Sequence, residues 1–213
     1  MPISPTDFAS LLCSRLCHDL LSPVGALNNG MELLADETDP AMRARCLELM
    51  SESARVSANK LKFFRLAFGA AGAFGENVDA REARSAIEGL FGDNKRITVG
   101  WLVEEAVLPK GAVKVLLNLA LIAGDALVRG GQLDIGAELT PGLVEIVLRA
   151  EGPRIILDEE IRATLTATST AAVTPRAAPA YLARSMVDES GGELVVSDAA
   201  EPVLMFGAAF RLG

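Results

Sequence analysis

The residues best suited to chemistry lie together in the run Cys17-His18-Asp19-Leu20-Leu21-Ser22-Pro23. His18 is the single histidine among 213 residues, so any imidazole chemistry of this chain takes place there. A neutral imidazole is a competent nucleophile near pH 7, and it must be exposed to meet a phosphoryl donor. Asp19 is the adjacent carboxylate and could orient the ring or accept a proton. The run therefore indicates a site centred on one nucleophilic side chain.

The elements that must position His18 form a predicted helical hairpin. Ser4-Pro5 and Asp39-Pro40 each resemble an N-cap followed by proline at the first helical position. Apolar residues then recur at helical spacing: Leu12, Leu16, Leu20, Val24, Leu27, Met31 and Leu34 in the first helix, and Met42, Cys46, Leu49, Ser53, Val56, Phe63 and Ala67 in the second. Because two amphipathic helices cannot bury their own stripes, we expect a dimeric four-helix bundle. Packing against the rest of the chain is the alternative.

His18 is predicted to point away from the apolar stripe. With Leu16 set at 0°, a turn of about 100° per residue places Leu20 near 40° and His18 near 200°. Gly25 on the same side costs about 1 kcal/mol relative to alanine in mid-helix, and Pro23 removes a backbone hydrogen bond and could kink the helix. The candidate partner-binding surface beside His18 comprises Ser14, Leu21, Ser22, Gly25, Ala26, Asn29 and Leu33.

A second region follows a Gly/Ala-rich segment at 69–75, which predicts domains at 1–70 and 76–213. Helices are predicted at 78–91, 109–128, 158–165 and 181–189, and strands at 96–103, 132–139, 143–150, 193–197 and 203–212. The Thr/Ala/Pro-rich stretch 166–180 is predicted to be loop. The fold class is α+β: a helical hairpin, then an α/β sandwich with one mixed or antiparallel sheet and helices on one face.

Composition excludes several classes of function. Half of the residues are hydrophobic and the net charge is −8, so the chain is globular and unsuited to broad binding of nucleic acid or anionic membrane. No apolar run has transmembrane length, and the first residues do not show the basic segment followed by an apolar one that is typical of a signal peptide. We therefore expect a cytoplasmic protein. Its three cysteines, Cys13, Cys17 and Cys46, are expected to be reduced and buried.

Two simpler interpretations of His18 stay open at this point. It could be a surface histidine without a role, which is common for exposed histidines. It could also join Cys13 and Cys17 in a metal site, since the two thiols share a helix face. His18 points elsewhere on the helix and the chain has no second histidine, which disfavours a metal.

The run from His18 to Pro23 resembles the phosphoacceptor box of sensor histidine kinases, which has an acid after the histidine and a proline five residues beyond it. The order of a helical hairpin followed by an α+β domain is also similar, and it covers almost the whole chain. Three positions depart from the nucleotide-binding pattern. Asn118 matches its first asparagine, but Ile122 stands where a second would hold magnesium. Ala150-Glu151-Gly152-Pro153-Arg154 lacks the adenine-binding aspartate, and Ala177-Ala178-Pro179-Ala180 lacks the phosphate-loop glycines.

The run from Arg15 to Gly30 is most similar to the ChpT-like histidine phosphotransferases. The resemblance implies a homodimer in which His18 accepts a phosphoryl group from the receiver aspartate of a hybrid histidine kinase. His18 would pass it to response-regulator aspartates in relays that control the bacterial cell cycle. It implies no metal or cofactor in this chain, an ATPase-like domain without its nucleotide, and Mg²⁺ in the partner receiver domain. A receiver-binding scaffold without chemistry and a divergent ATP-dependent kinase are the alternatives.

Overall fold

The structure, a computed structural model, describes residues 3–69, 76–92, 96–167 and 172–211. Two long antiparallel helices open the chain, α1 at Pro5–Asp36 and α2 at Pro40–Phe68. The Ser4 side chain accepts a hydrogen bond from the Asp7 N–H, and the Asp39 side chain accepts one from the Met42 N–H. Both predicted helix starts are therefore confirmed, because each cap satisfies a backbone donor that has no partner within the helix.

The second region consists of four helices and seven strands among the described residues. In chain order they are β1 Asn77–Asp79, α3 Ala80–Phe91, β2 Ile97–Trp101, β3 Val107–Pro109, α4 Lys110–Ala126, β4 Gly131–Thr140, β5 Leu143–Glu151, α5 Glu159–Leu165, α6 Ala178–Glu189, β6 Glu193–Val196 and β7 Leu204–Arg211.

One five-stranded sheet has the order β2-β4-β5-β7-β6. The β2–β4 pair is parallel and the other pairs are antiparallel, so the sheet is mixed. Side chains alternate along β5 and β7, with every second one buried under the helices and the others half-buried or exposed. A second, two-stranded sheet pairs β1 with β3. The predicted α+β fold class is confirmed.

Helix α4 lies at the centre of the core and joins the two regions. Nearly all of its residues are buried between the sheet and its neighbouring helices. The same core includes the C-terminal turns of α2, through Phe63, Phe64, Leu66 and Ala67. The base of the hairpin thus packs against the rest of the chain, which was the predicted alternative to a dimeric bundle.

A single buried amide fastens α2 to α4. Asn118 is fully buried, and its Nδ2 donates to the carbonyl of Ala67 at 3.3 Å and to the carbonyl of Lys114 at 2.8 Å. Ala67 lies in the last turn of α2, where carbonyls have no acceptor role within the helix. The asparagine that resembled a nucleotide-site residue therefore makes a structural hydrogen bond here.

Several local expectations were wrong. Strands β1 and β3 were not predicted, because they have only three residues each and carry little periodicity. Helix α6 begins at Ala178 within the predicted loop, because Pro179 suits the first helical turn and the alanines pack into the core. Cys13 and Cys17 are exposed and Cys46 is half-buried in this single chain. Residues 70–75 of the linker predicted at 69–75 lie outside the described residues, and the division at 1–70 and 76–213 stays a prediction.

We predict that Asn118→Leu lowers the free energy of unfolding by about 1–3 kcal/mol, because it leaves the Ala67 carbonyl buried without a donor. Chemical denaturation measures this change. Asn28→Leu is the control, since Asn28 is exposed on α1 and bonds only Glu32. Equal losses in the two variants would contradict a structural role for Asn118.

Candidate functional site

His18 lies in the middle of α1 with its side chain 85% exposed. Its Nδ1 is 3.1 Å from Oδ1 of Asp19, whose side chain is only 15% exposed. Neighbouring helical residues diverge by about 100°, so this contact requires both side chains to turn toward each other. When Nδ1 carries the proton it donates to Asp19, and the lone pair of Nε2 then faces solvent. The predicted orienting contact is thus geometrically available.

Arg15 holds Asp19 from the other side. Its Nε donates to Asp19 Oδ2 at 2.7 Å, and its Nη2 donates to Asp125 Oδ2 at 2.8 Å. The Arg15 side chain is only 11% exposed. Burial lowers the pKa of the Arg15 guanidinium, but the charges and hydrogen bonds of Asp125 and Asp19 outweigh it and leave the pKa above its ordinary value. The cation therefore stays between the two carboxylates at any physiological pH.

Helix α1 continues through Pro23, its one buried residue. Proline has no N–H, so the carbonyl of Asp19, four residues earlier, loses its helical donor. The Nζ of Lys60 on α2 donates to that carbonyl at 2.7 Å and replaces the missing bond. The backbone of Asp19 is thereby tied to α2, while its side chain is tied to Arg15.

A cleft of about 640 Å³ opens beside His18. It lies between α1, the end of α4 and the segment before α6, and it is lined by Ser14, Arg15, His18, Asp19, Asp125, Thr174, Pro175 and Arg176. The segment is fixed by its own contacts: Thr174 donates to the Glu160 carboxylate through its N–H and Oγ1, and Arg176 pairs with Asp158 at 2.9 Å. The side chain of His18 lines this cleft and, at 85% exposure, also faces open solvent.

The predicted partner-binding residues lie along one exposed side of α1. Ser14, Leu21, Ser22, Ala26, Asn29 and Leu33 are exposed and Gly25 is half-buried. A Cβ added to Gly25 would meet nothing within 4 Å, so no packing within the chain requires glycine there. The structure thus brings these residues together on a surface that the rest of the described chain leaves open.

The apolar stripes of the hairpin are only partly buried in the single chain. Leu12, Leu16, Leu20, Leu27 and Leu34 are half-buried, while Val24 and Met31 are 51% and 60% exposed. On α2, Met42 and Leu49 are also exposed, seven residues apart. Packing within the chain therefore accounts for the base of the hairpin and leaves apolar surface along its outer part.

Two of the three positions that depart from the nucleotide-binding pattern lie in the core. Ile122 is buried on α4, as are Ala177, Ala178, Pro179 and Ala180 at the start of α6. Among the described residues, no group of three or more His, Cys, Asp and Glu side chains is arranged to hold a metal ion. Within the same residues, no helix is long and apolar enough to cross a membrane.

These features define an α+β protein with an exposed histidine on a helical hairpin. The family model of the histidine phosphotransferase C-terminal domain matches residues 80–202, more than half of the chain. The protein phosphotransferase ChpT of Brucella abortus (strain 2308) is 42% identical over 140 residues, which are 64% of this chain and 63% of that protein. The chain belongs to the histidine phosphotransferase family. Its match spans less than two thirds of the length of that curated relative.

One solved structure agrees with this assignment. A bacterial phosphotransferase, solved at 1.7 Å, has a TM-score of 0.85 and 30% identity, with 98% of both chains covered. The catalytic domain of the histidine kinase ThkA covers 63% of this chain at a TM-score of 0.46 and 19% identity, and 93% of the kinase domain is matched. That second likeness is too distant to carry a functional argument.

Three residues of the site were not predicted from the sequence: Arg15, Lys60 and Asp125. The Arg15–Asp19 spacing of four was a usable signal, because residues four apart share a helix face. Pro23 also implied an unsatisfied carbonyl, although not that Lys60 would satisfy it. Asp125 carried no signal, since it is 110 residues from Arg15 and meets it only in the folded chain.

We predict that Lys60 and Pro23 are energetically coupled. Lys60→Met should lower the free energy of unfolding by about 1–2 kcal/mol, because a charged donor to a backbone acceptor is lost. In a Pro23→Ala background the restored N–H bonds Asp19, so the same substitution should cost less than about 0.5 kcal/mol. Chemical denaturation of the four proteins gives the coupling, and Lys62→Met, exposed on the same helix, is the control. Equal costs of Lys60→Met in both backgrounds would refute the replacement bond.

Proposed function

We propose that this protein is a phosphoryl carrier of a multistep two-component phosphorelay. His18 accepts a phosphoryl group from the receiver aspartate of a hybrid histidine kinase and passes it to response-regulator aspartates. The observation that carries the proposal is an exposed histidine on an open helix of a histidine phosphotransferase. Its Nδ1 meets Asp19, which is half-buried and paired with Arg15.

The geometry suits nucleophilic transfer in both directions. The Nε2 lone pair attacks the phosphorus of an aspartyl phosphate, and the bond from phosphorus to the carboxylate oxygen breaks with its electron pair. Attack gives the phosphorylated ring cationic character, which the Asp19 carboxylate at Nδ1 stabilises. A second receiver carboxylate then attacks the same phosphorus, and the electron pair of the N–P bond returns to the ring. No proton need leave Nδ1.

The remaining chemistry belongs to the partners. The receiver supplies the aspartate and Mg²⁺, so this chain contributes a positioned nucleophile and needs no cofactor of its own. We further propose that it neither binds nor hydrolyses ATP. This is supported by Ile122 and the Ala177–Ala180 run, which offer buried apolar side chains where a nucleotide site requires ligands and glycines.

The receiver is proposed to dock along the side of α1 that carries His18. Ser14, Leu21, Ser22, Gly25, Ala26, Asn29 and Leu33 form this docking face. Gly25 supports the assignment. Glycine destabilises the helix, and no packing within the chain explains its presence. A partner backbone that approaches α1 closely would explain it, because such an approach requires a residue without a Cβ. The exposed Leu21 and Leu33 supply apolar area on either side of it.

A homodimer is proposed to cover the other exposed side of the hairpin. Val24 and Met31 are seven residues apart and about 120–140° around α1 from His18, by the helical repeat. A second hairpin packed on them would complete a four-helix bundle and leave both His18 side chains open. Exposed apolar side chains on α2, such as Leu47 and Leu61, fourteen residues apart, support a bundle seam of this kind.

The proposed setting is the bacterial cytoplasm, in cell-cycle control. The cell-cycle role rests on the resemblance to the ChpT-like proteins alone. The cytoplasmic location is supported by three free thiols, all within the described residues.

We predict that a receiver domain phosphorylated on its aspartate labels the wild-type protein and leaves His18→Ala unlabelled. The label should be acid-labile and base-stable, as expected of phosphohistidine, and it should move to a second receiver when one is added. Gel autoradiography at timed intervals measures both steps. Receiver binding without label on the wild type would instead favour a scaffold, and labelling from ATP alone would favour a kinase.

We predict that two glutamate substitutions, one on each face, separate the two faces of α1. Val24→Glu should convert the dimer to monomer, because it buries an unpaired carboxylate in the bundle. Leu33→Glu places the same charge on the docking face and should leave the dimer intact while slowing transfer from the receiver. Light scattering after size-exclusion chromatography and the transfer assay measure the two properties. A wild-type monomer, or loss of the dimer in Leu33→Glu, would contradict the proposed faces.

A further inference from the structure

A continuous chain of contacts links the end of α4 to the ring of His18. Asp125 Oδ2 accepts from Arg15 Nη2 at 2.8 Å, Arg15 Nε donates to Asp19 Oδ2 at 2.7 Å, and Asp19 Oδ1 lies 3.1 Å from His18 Nδ1. The first two residues are far apart in sequence but adjacent in space. Among the described residues, these three contacts connect the second region directly to the imidazole.

The position of Asp125 is unfavourable for a carboxylate unless it has a partner. It is the penultimate residue of α4, at the end of the helix where the macrodipole is negative. It also follows directly after the apolar run 119–124 of the same helix. Its pairing with the largely buried Arg15 offsets that cost, and the same pairing fixes the guanidinium in space.

A fixed guanidinium fixes Asp19. The planar fork of arginine holds each carboxylate along a defined direction, which a lysine at the same place could not do. With Oδ2 of Asp19 held by Arg15 and its backbone carbonyl held by Lys60, Oδ1 is left directed at the imidazole. An acceptor at that place favours the proton on Nδ1, which leaves Nε2 as the nucleophile.

We propose that Arg15 and Asp125 are positioning residues for His18: together they hold Asp19 so that the neutral ring carries its proton on Nδ1 and presents Nε2 to the phosphoryl donor. The second region thus serves the reaction through one carboxylate on α4. This inference rests on the proposed phosphotransfer function, because it specifies how that site is held. It adds a role for two residues that contact neither the phosphoryl group nor the partner's aspartate.

The single histidine makes the ring directly observable. In a uniformly ¹⁵N-labelled dimer, the long-range proton–nitrogen spectrum contains one imidazole, and the two nitrogen shifts report which nitrogen is protonated. The test variants are Asp125→Asn, which keeps the shape of the side chain, and Arg15→Lys, which keeps the charge but loses the fork. Transfer rates from a phosphorylated receiver are measured on the same samples, and thermal denaturation checks that each variant is folded.

The chain supplies a matched control. Asp188 is also the penultimate residue of its helix, α6, and it pairs with Arg184 at 2.7 Å. Its side chain is 46% exposed, against 48% for Asp125. Asp188→Asn therefore removes the ion pair of a similarly exposed aspartate that does not line the cleft at His18. Asp125→Glu, which keeps the carboxylate, should restore part of the wild-type behaviour.

The expected result is a wild-type ring protonated predominantly on Nδ1. Asp125→Asn and Arg15→Lys should show mixed tautomers and roughly tenfold slower transfer, a moderate loss for misplacing a group beside the reacting atom. Asp188→Asn should match the wild type in both readouts. Unchanged spectra in both test variants would overturn the inference, even if transfer slowed, since the pair would then act on folding or docking. A wild-type ring protonated on Nε2 would overturn it as well.

Failure of the proposed function is distinguishable from failure of this inference. If the wild type takes no label from any phosphorylated receiver, the phosphorelay role is wrong. The tautomer spectra still decide whether Arg15 and Asp125 hold the ring, because they require no partner and no phosphate.

Discussion

The burial of the last turns of α2 in the core is the constraint on which the rest of the structure depends. Phe63 and Phe64 are almost completely buried and together remove several hundred Å² from water by the size of their rings. They lie in the same cluster as α4, and Asn118 adds a hydrogen bond at the same junction. Because α2 is fixed there, the antiparallel α1 is fixed as well, and Arg15 arrives beside Asp125.

Helix α1 has a second anchor at its first turns. The rings of Phe8 and Tyr181 lie 5.1 Å apart, which attaches the first turns of α1 to α6. His18 therefore lies between an anchor at the start of α1 and the Lys60 bond at Asp19, on a segment held at both ends. In the outer half of the hairpin, apolar side chains are exposed instead. One helix thus combines a fixed segment around the histidine with an outer surface free for other chains.

Much of this arrangement could be predicted from the sequence because its signals are local. Ser4-Pro5 and Asp39-Pro40 are complete helix starts within a few residues, and the helical repeat alone placed His18 opposite the leucine stripe. The β4–β5 hairpin was equally local, with Gly142 in the left-handed conformation its turn requires. By contrast, β1 and β3 exist only because each pairs with the other, although α3 and β2 lie between them in the sequence. A three-residue strand is too short to show an alternation of apolar and polar residues, so it cannot be predicted without knowing the strand it pairs with.

The contacts of the site also fall into a local group, which the sequence predicts, and a group that forms only on folding. Asp19 contacts His18 and Arg15 within one helix. Contacts of this kind can be predicted from the spacing of residues in the sequence. Asp125 and Lys60 become neighbours of Asp19 only through the packing of α2 and α4, which depends on volumes rather than on spacing. The burial of Ile122 follows from the same packing: once α4 lies at the centre of the core, most of its faces are covered. A helix in that place can influence the histidine only from its end, and Asp125 is the charged residue found there.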